Sequence, residues 1–162
     1  IDVQWMTDER SRIYCEVKLS EGEFGATDTV GRHSRKLEDT YRPVLDRYVA
    51  TQLWDDKGAR FYQFQDIYQH LWLAARGGHE TDEVRFLLPR ANETLIEQFH
   101  EAMSLVGPAL KSRTRLIYVE DVLRQLADND DTAWYGRLLE EKYVPTSQPG
   151  TGPFSSVAAP VD

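Results

Sequence analysis

The sequence predicts a mixed α/β domain. Three observations carry that prediction. Two stretches that alternate apolar and polar residues flank a short polar turn near the N-terminus. A long apolar stripe at helical spacing runs from Arg60 to Arg76. Two short apolar runs, Val84 to Pro89 and Arg115 to Val119, read as buried strands among further helical patterns.

The elements follow in order. Ile1 to Met6 is short and β-rich, and Thr7 to Ser11 is a polar cluster with turn chemistry. From Arg12 to Leu19 the apolar residues Ile13, Cys15, Val17 and Leu19 recur at a period of two, which is a half-buried strand signal. Two strands around a five-residue turn make a β-hairpin. Ser20 to Ser34 holds Gly22, Gly25 and Gly31 without a period and reads as a loop. Arg35 to about Trp54 is helical in spacing, with Pro43 as a kink or a fresh start. Asp55 to Gly58 is a break, and the helix from Arg60 to Arg76 ends at Gly77-Gly78. Glu93 to Val106 is a helix closed by Gly107-Pro108. Helices are also expected from Glu120 to Ala127 and from Thr132 to Tyr143. The domain therefore spans 1–143, and the Pro-, Gly- and Ser-rich stretch 144–162 reads as a disordered tail.

Composition bounds the function. With 162 residues, 41% of them hydrophobic and 28% charged, the chain can bury one real core. No apolar run approaches the roughly 20 residues of a membrane span, so no membrane partner is expected. Cys15 is the only cysteine, which rules out a disulfide framework and fits a reducing cytoplasm. The chain opens on Ile1 with no secretory signal, and reads as excised or incomplete at that end. A net charge of -8 counts against nucleic acid as a partner, except where acidic residues gather around a cation that offsets them.

The hairpin supplies such a gathering. If it is symmetric about Glu9, facing residues have numbers summing to 18: Met6 faces Arg12, Gln4 faces Tyr14, and Asp2 faces Glu16. Directly opposed side chains of an antiparallel pair lie roughly 4.5–5.5 Å apart at Cβ, and Lys18 shares the face of Glu16. The other face, with Val3, Trp5, Ile13, Cys15, Val17 and Leu19, is expected to be the core face. Two opposed carboxylates repel unless a cation lies between them. Mg²⁺ takes one or two carboxylates plus waters and phosphate oxygens. A nearby ammonium suits metal-assisted phosphodiester hydrolysis, where it orients or deprotonates the attacking water or stabilises charge on phosphorus.

Asp2 followed by Glu16-Val17-Lys18 on an apolar strand resembles the D…(D/E)-x-K signature of the PD-(D/E)XK nuclease superfamily, whose fold is restriction-endonuclease-like. The loop Glu21 to Gly25 and Phe61-Tyr62-Gln63 at a helix start are similar to those of uncharacterised bacterial members, over roughly residues 1–91. The resemblance implies a mixed sheet flanked by helices, Mg²⁺ (or Mn²⁺ in its place), and DNA as the substrate. It implies that Asp2 and Glu16 bind the metal with the backbone carbonyl of Val17, that Lys18 assists the water, and that Gln63 assists from its helix. The family core begins with a helix and a strand before the aspartate; neither precedes Asp2 here, and Ile1 stands where the proline is named.

Blander readings stand beside these. Asp8 rivals Asp2 but falls in the turn, Glu21 and Glu23 suit a solvated loop, and Tyr62 suits packing. Arg32, His33, Arg35 and Lys36 could touch phosphates or start a solvated helix. His33, His70, His79 and His100 show no zinc spacing. The expected function is Mg²⁺-dependent DNA cleavage, with a non-catalytic module of the same fold, binding protein or nucleic acid, as the alternative. The sequence leaves the oligomeric state open.

Overall fold

The computed structural model describes residues 2–8, 10–25 and 35–144. Four strands form one sheet in the order β1 (Asp2–Met6), β2 (Arg12–Val17), β3 (Glu83–Leu88) and β4 (Thr114–Tyr118). The β1–β2 pair is antiparallel, and the β2–β3 and β3–β4 pairs are parallel. The hairpin register is the one the symmetric turn predicts: Met6 pairs with Arg12, Gln4 with Tyr14, and Asp2 with Glu16. Arg10 adopts a left-handed φ of 62° in the turn, which closes through Thr7 N–H to the Ser11 carbonyl at 2.9 Å.

Parallel neighbours need long crossovers. Between β2 and β3 the chain forms a π-helical turn (Leu37–Tyr41), α1 (Arg42–Leu45, with Pro43 in its first turn), a 3₁₀ turn (Thr51–Trp54), α2 (Asp55–Gln63) and α3 (Gln65–Arg76). Between β3 and β4 it forms α4 (Glu93–Ser104) and a short α5 (Pro108–Lys111), which the sequence reading missed. After β4 come α6 (Val119–Asp128) and α7 (Ala133–Tyr143). The fold is thus a mixed four-stranded sheet of the restriction-endonuclease-like kind, in a chain that carries seven α-helices among the described residues. The chain divides into two compact units, Ile1–Val122 and Leu123–Asp162. The first holds the whole sheet; the second holds the rest of α6 and all of α7. The reading of 144–162 as a disordered tail falls, past Val144, outside the described residues.

The expected core face needs correction. Val3 and Trp5 are 43% and 38% exposed, whereas Tyr14 and Glu16 are 3% and 4% exposed on the other phase. The parallel register explains this. Tyr14 pairs with Val84 and Glu16 with Phe86, so these residues share a face with the buried phase of β3, Val84, Phe86 and Leu88. That face carries the main core, closed by Ile67 and Leu71 of α3 and Leu95 and Phe99 of α4. Ile13 and Cys15 are also buried, so β2 is covered on both sides, as a central strand is. Cys15 is a free thiol there, and burial pushes its pKa up.

The helix expected from Arg60 to Arg76 is interrupted. Phe64 takes a non-helical conformation (φ -124°, ψ 43°), and a new helix begins at Gln65. The rings of Phe61 and Tyr68 stack across the break at 5.6 Å, so the apolar stripe survives it. The kink inside α2 is local backbone chemistry: Asp56, Lys57 and Gly58 all have φ between 50° and 81°. A Cβ on Gly58 would collide with Leu37 Cδ2. Gly58→Ala is therefore expected to destabilise the protein by about 1–3 kcal/mol through left-handed strain plus overpacking. An unchanged denaturant midpoint for that variant would contradict this packing.

Candidate active site

The new helix start decides where the site forms. Its first N–H groups have no intrahelical partner, and one of them, on Asp66, donates to the carbonyl of Phe24 at 3.2 Å. Asp66 therefore sits in the first turn of α3, where the helix dipole favours a carboxylate. Opposite it, β2 continues one residue past Val17, because Lys18 N–H donates to the Leu87 carbonyl at 3.1 Å. This fixes Lys18 on the phase of Glu16, facing α3.

The result is a bridge. Lys18 Nζ donates to Asp66 Oδ2 at 2.7 Å and pairs with Glu16 Oε1 at 3.1 Å. Lys18 is only 9% exposed and Glu16 only 4%. Burial pushes the ammonium pKa down, but the hydrogen bonds to Asp66 and Glu16 outweigh it and hold the group above the ordinary lysine value. On the other side, Glu16 Oε2 lies 3.5 Å from His70 Nε2. His70 Nδ1 lies 2.8 Å from the Asp66 carbonyl. A carbonyl oxygen only accepts, so Nδ1 carries the proton and donates. One turn of α3 thus supplies both flanks: the Asp66 carboxylate to Lys18, and the His70 ring to Glu16.

The loop after β2 is tied down around this cluster. Glu21 accepts from the backbone N–H groups of Leu19 and Ser20, both at 3.0 Å. Slight burial pushes its pKa up, but those bonds and the Lys18 charge bring it below the ordinary carboxylate range. Asn92 donates to the Glu21 carbonyl while its Oδ1 caps α4, and Phe24 N–H donates to Gln98 of α4. Gly25 follows at φ +74°, and a Cβ there would stand 2.9 Å from Asp66 Oδ2.

The sequence candidates fall as follows. Glu16 and Lys18 meet, and Val17 lies between them at the end of β2. Asp2 is the register partner of Glu16. Gln63 ends α2 as an exposed residue, and the helix residues that reach Lys18 and Glu16 are instead Asp66 and His70. Asp8 lines a cavity of about 510 Å³ with Ile13, Glu83, Arg85 and Arg113 at the other end of the sheet, where β2 and β3 begin. Among the described residues, no three His, Cys, Asp or Glu side chains converge as a ready metal cage. Arg32 and His33 of the basic cluster lie outside the described residues.

The mixed sheet, with an acid-x-lysine triplet at the end of its central strand, defines a protein of restriction-endonuclease type. A family model described as restriction endonuclease associating with ARP matches residues 1–144, and the chain belongs to that family. No curated protein and no solved structure matches the chain. Gly25→Ala tests how the loop supports the site. It is expected to cost about 1–3 kcal/mol in urea unfolding, from a strained φ and a Cβ forced against the Asp66 carboxylate. A midpoint equal to that of the unmutated protein would contradict this role.

Proposed function

We propose that the chain is a divalent-metal-dependent DNA endonuclease that hydrolyses phosphodiester bonds, using Mg²⁺ or Mn²⁺. The observation that carries the reading is the buried Glu16 carboxylate at the end of β2, with Asp2 opposite in register and the Lys18 ammonium beside it. The donor set suits a hard cation that takes one or two carboxylates and completes its shell with waters and phosphate oxygens. Asp2 and Glu16 would hold it, together with the carbonyl of Val17. Such an ion, when bound, supplies positive charge to the phosphate and makes a bound water more acidic.

Lys18 acts in this reading as a fixed charge. Held by Asp66 at 2.7 Å, it orients the attacking water and offsets charge developing on phosphorus. Gln63 assists from the exposed end of α2. Family membership supports a nuclease or related activity and nucleic acid as the partner, and the family description adds ARP as an associate. The reading places the protein in a reducing cytoplasm, where Cys15 stays a thiol.

One observation favours a second reading, a non-catalytic binding module. The Lys18 ammonium already lies between Glu16 and Asp66, as a structural salt bridge would. Nicking of supercoiled plasmid with added Mg²⁺ or Mn²⁺ separates the two. Glu16→Ala and Lys18→Ala are each expected to lower metal-dependent cleavage by at least about 10²-fold while far-UV circular dichroism is retained. Cleavage retained in both variants contradicts the site. Absence of any metal response, in cleavage or in Trp fluorescence, favours the binding module.

A further inference from the structure

The end of the sheet that carries Glu16 and Lys18 extends across two further strands. Pairing of β2 with β3 runs one step past Val17 and Leu87, through Lys18 N–H to the Leu87 carbonyl, and Leu88 pairs with Tyr118 of β4. Lys18, Leu88 and Tyr118 therefore form one row across the ends of three parallel strands. With about 4.8 Å between neighbouring strands, Tyr118 stands roughly 10 Å from Lys18 along that row. In open α/β sheets, ligands bind outside the carboxyl ends of the strands, which is where this row lies. The loops that leave it are joined to one another. Asn92, after β3, donates to the Glu21 carbonyl, after β2, at 2.9 Å. The Glu120 carboxylate, after β4, accepts from the Arg90 backbone N–H, after β3, at 2.9 Å. All of these residues belong to the unit Ile1–Val122.

Arg90 stands on this ledge as an exposed cation. Its side chain is 51% exposed, and its guanidinium carbon lies 3.9 Å from the centre of the Tyr118 ring. Nη2 donates to the Asp121 carboxylate, while Nε and Nη1 make no hydrogen bond among the described residues. An exposed ion pair of this kind adds little to stability, so the fold alone does not account for the arrangement. It does prepare the guanidinium for a ligand. A free surface arginine loses side-chain entropy on binding, whereas one already stacked on a ring and tied at one nitrogen has less to lose. The planar fork with donors to spare suits a phosphate, which takes two parallel N–H groups.

We propose that Arg90, stacked on Tyr118, binds a backbone phosphate of the DNA about three nucleotides from the phosphate cleaved beside Lys18. The proposal rests on the nuclease reading above and adds a second point of contact with the substrate. One strand of B-DNA rises about 3.4 Å per nucleotide, so roughly 10 Å corresponds to about three steps. A phosphate contact of this kind fixes the register and orientation of the strand without reading its sequence. Arg90 is thus a substrate-binding residue outside the D…E-x-K pattern.

The test is a fluorescence-anisotropy titration of a labelled DNA duplex with the full chain, repeated across salt concentrations. Ca²⁺, another hard cation that takes oxygen ligands, replaces Mg²⁺, and a gel confirms that the duplex stays intact. Arg90→Gln should weaken binding about three- to tenfold and lower the slope of log K against log salt by about 0.9. Arg90→Lys, which keeps the charge, should keep the slope. Arg115→Gln, beside Glu83 where β3 begins, should also keep it. Unchanged affinity and slope in Arg90→Gln, an equal fall in Arg115→Gln, or a fall in Arg90→Lys matching that in Arg90→Gln overturns the assignment of Arg90 and leaves the nuclease reading intact. Failure of the unmutated protein to bind the duplex overturns both.

Discussion

A buried amine between two carboxylates organises the functional end of this protein. Lys18 cannot leave Glu16 and Asp66 without stranding charge in a poorly solvated place, so it ties the end of the central strand to the first turn of α3. Three features of the chain serve that bridge. The parallel pairing to β3 runs on to Lys18, the helix restarts at Gln65, and Gly25 leaves room for the Asp66 carboxylate. Each would be an odd local choice alone. The interruption at Phe64 costs helix continuity, yet it brings a helix N-terminus, and with it a favourable position for an acid, to the strand end.

Such a bridge is an uneconomical way to stabilise a fold, since apolar packing of similar volume would do as well or better. The neighbouring core is conventional: Tyr68, Phe86, Leu71 and Leu95 are fully buried around it, and the Tyr68 hydroxyl donates to the Ala102 carbonyl. Concentrated charge at the rim of an apolar core, at one end of a sheet, is the arrangement expected where electrostatics act on a bound group rather than on the fold itself. The membership of the chain in a restriction-endonuclease family agrees with that expectation at the level of class.

Much of this was legible in the residues. The hairpin register followed from a polar turn of fixed length, and it placed Asp2 against Glu16. The strands at 83–88 and 114–118 and the helix at 93–104 followed from short apolar runs and from 3.6-residue periodicity. The facing of the sheet did not. Alternation in Arg12–Leu19 marks two phases without saying which meets the helices, and β2 is covered on both sides because it is central. Asp66 and His70 were hidden for a related reason: they flank the apolar stripe of α3, where polar residues ordinarily face solvent. Their i, i+4 spacing was the available signal, since it stacks them on one helix face. Gln63, chosen from the family pattern, sits on the far side of a helix break that propensity alone does not reveal.

The central claim is that the charged end of β2 grips a cation rather than merely closing a salt bridge. Anomalous diffraction from crystals of the full chain grown with Mn²⁺ tests it most directly. One strong peak is expected within bonding distance of a Glu16 carboxylate oxygen, with Lys18 still on the other oxygen. A map with no peak there, or with its peak at the opposite end of the sheet beside Asp8 and Glu83, would contradict it.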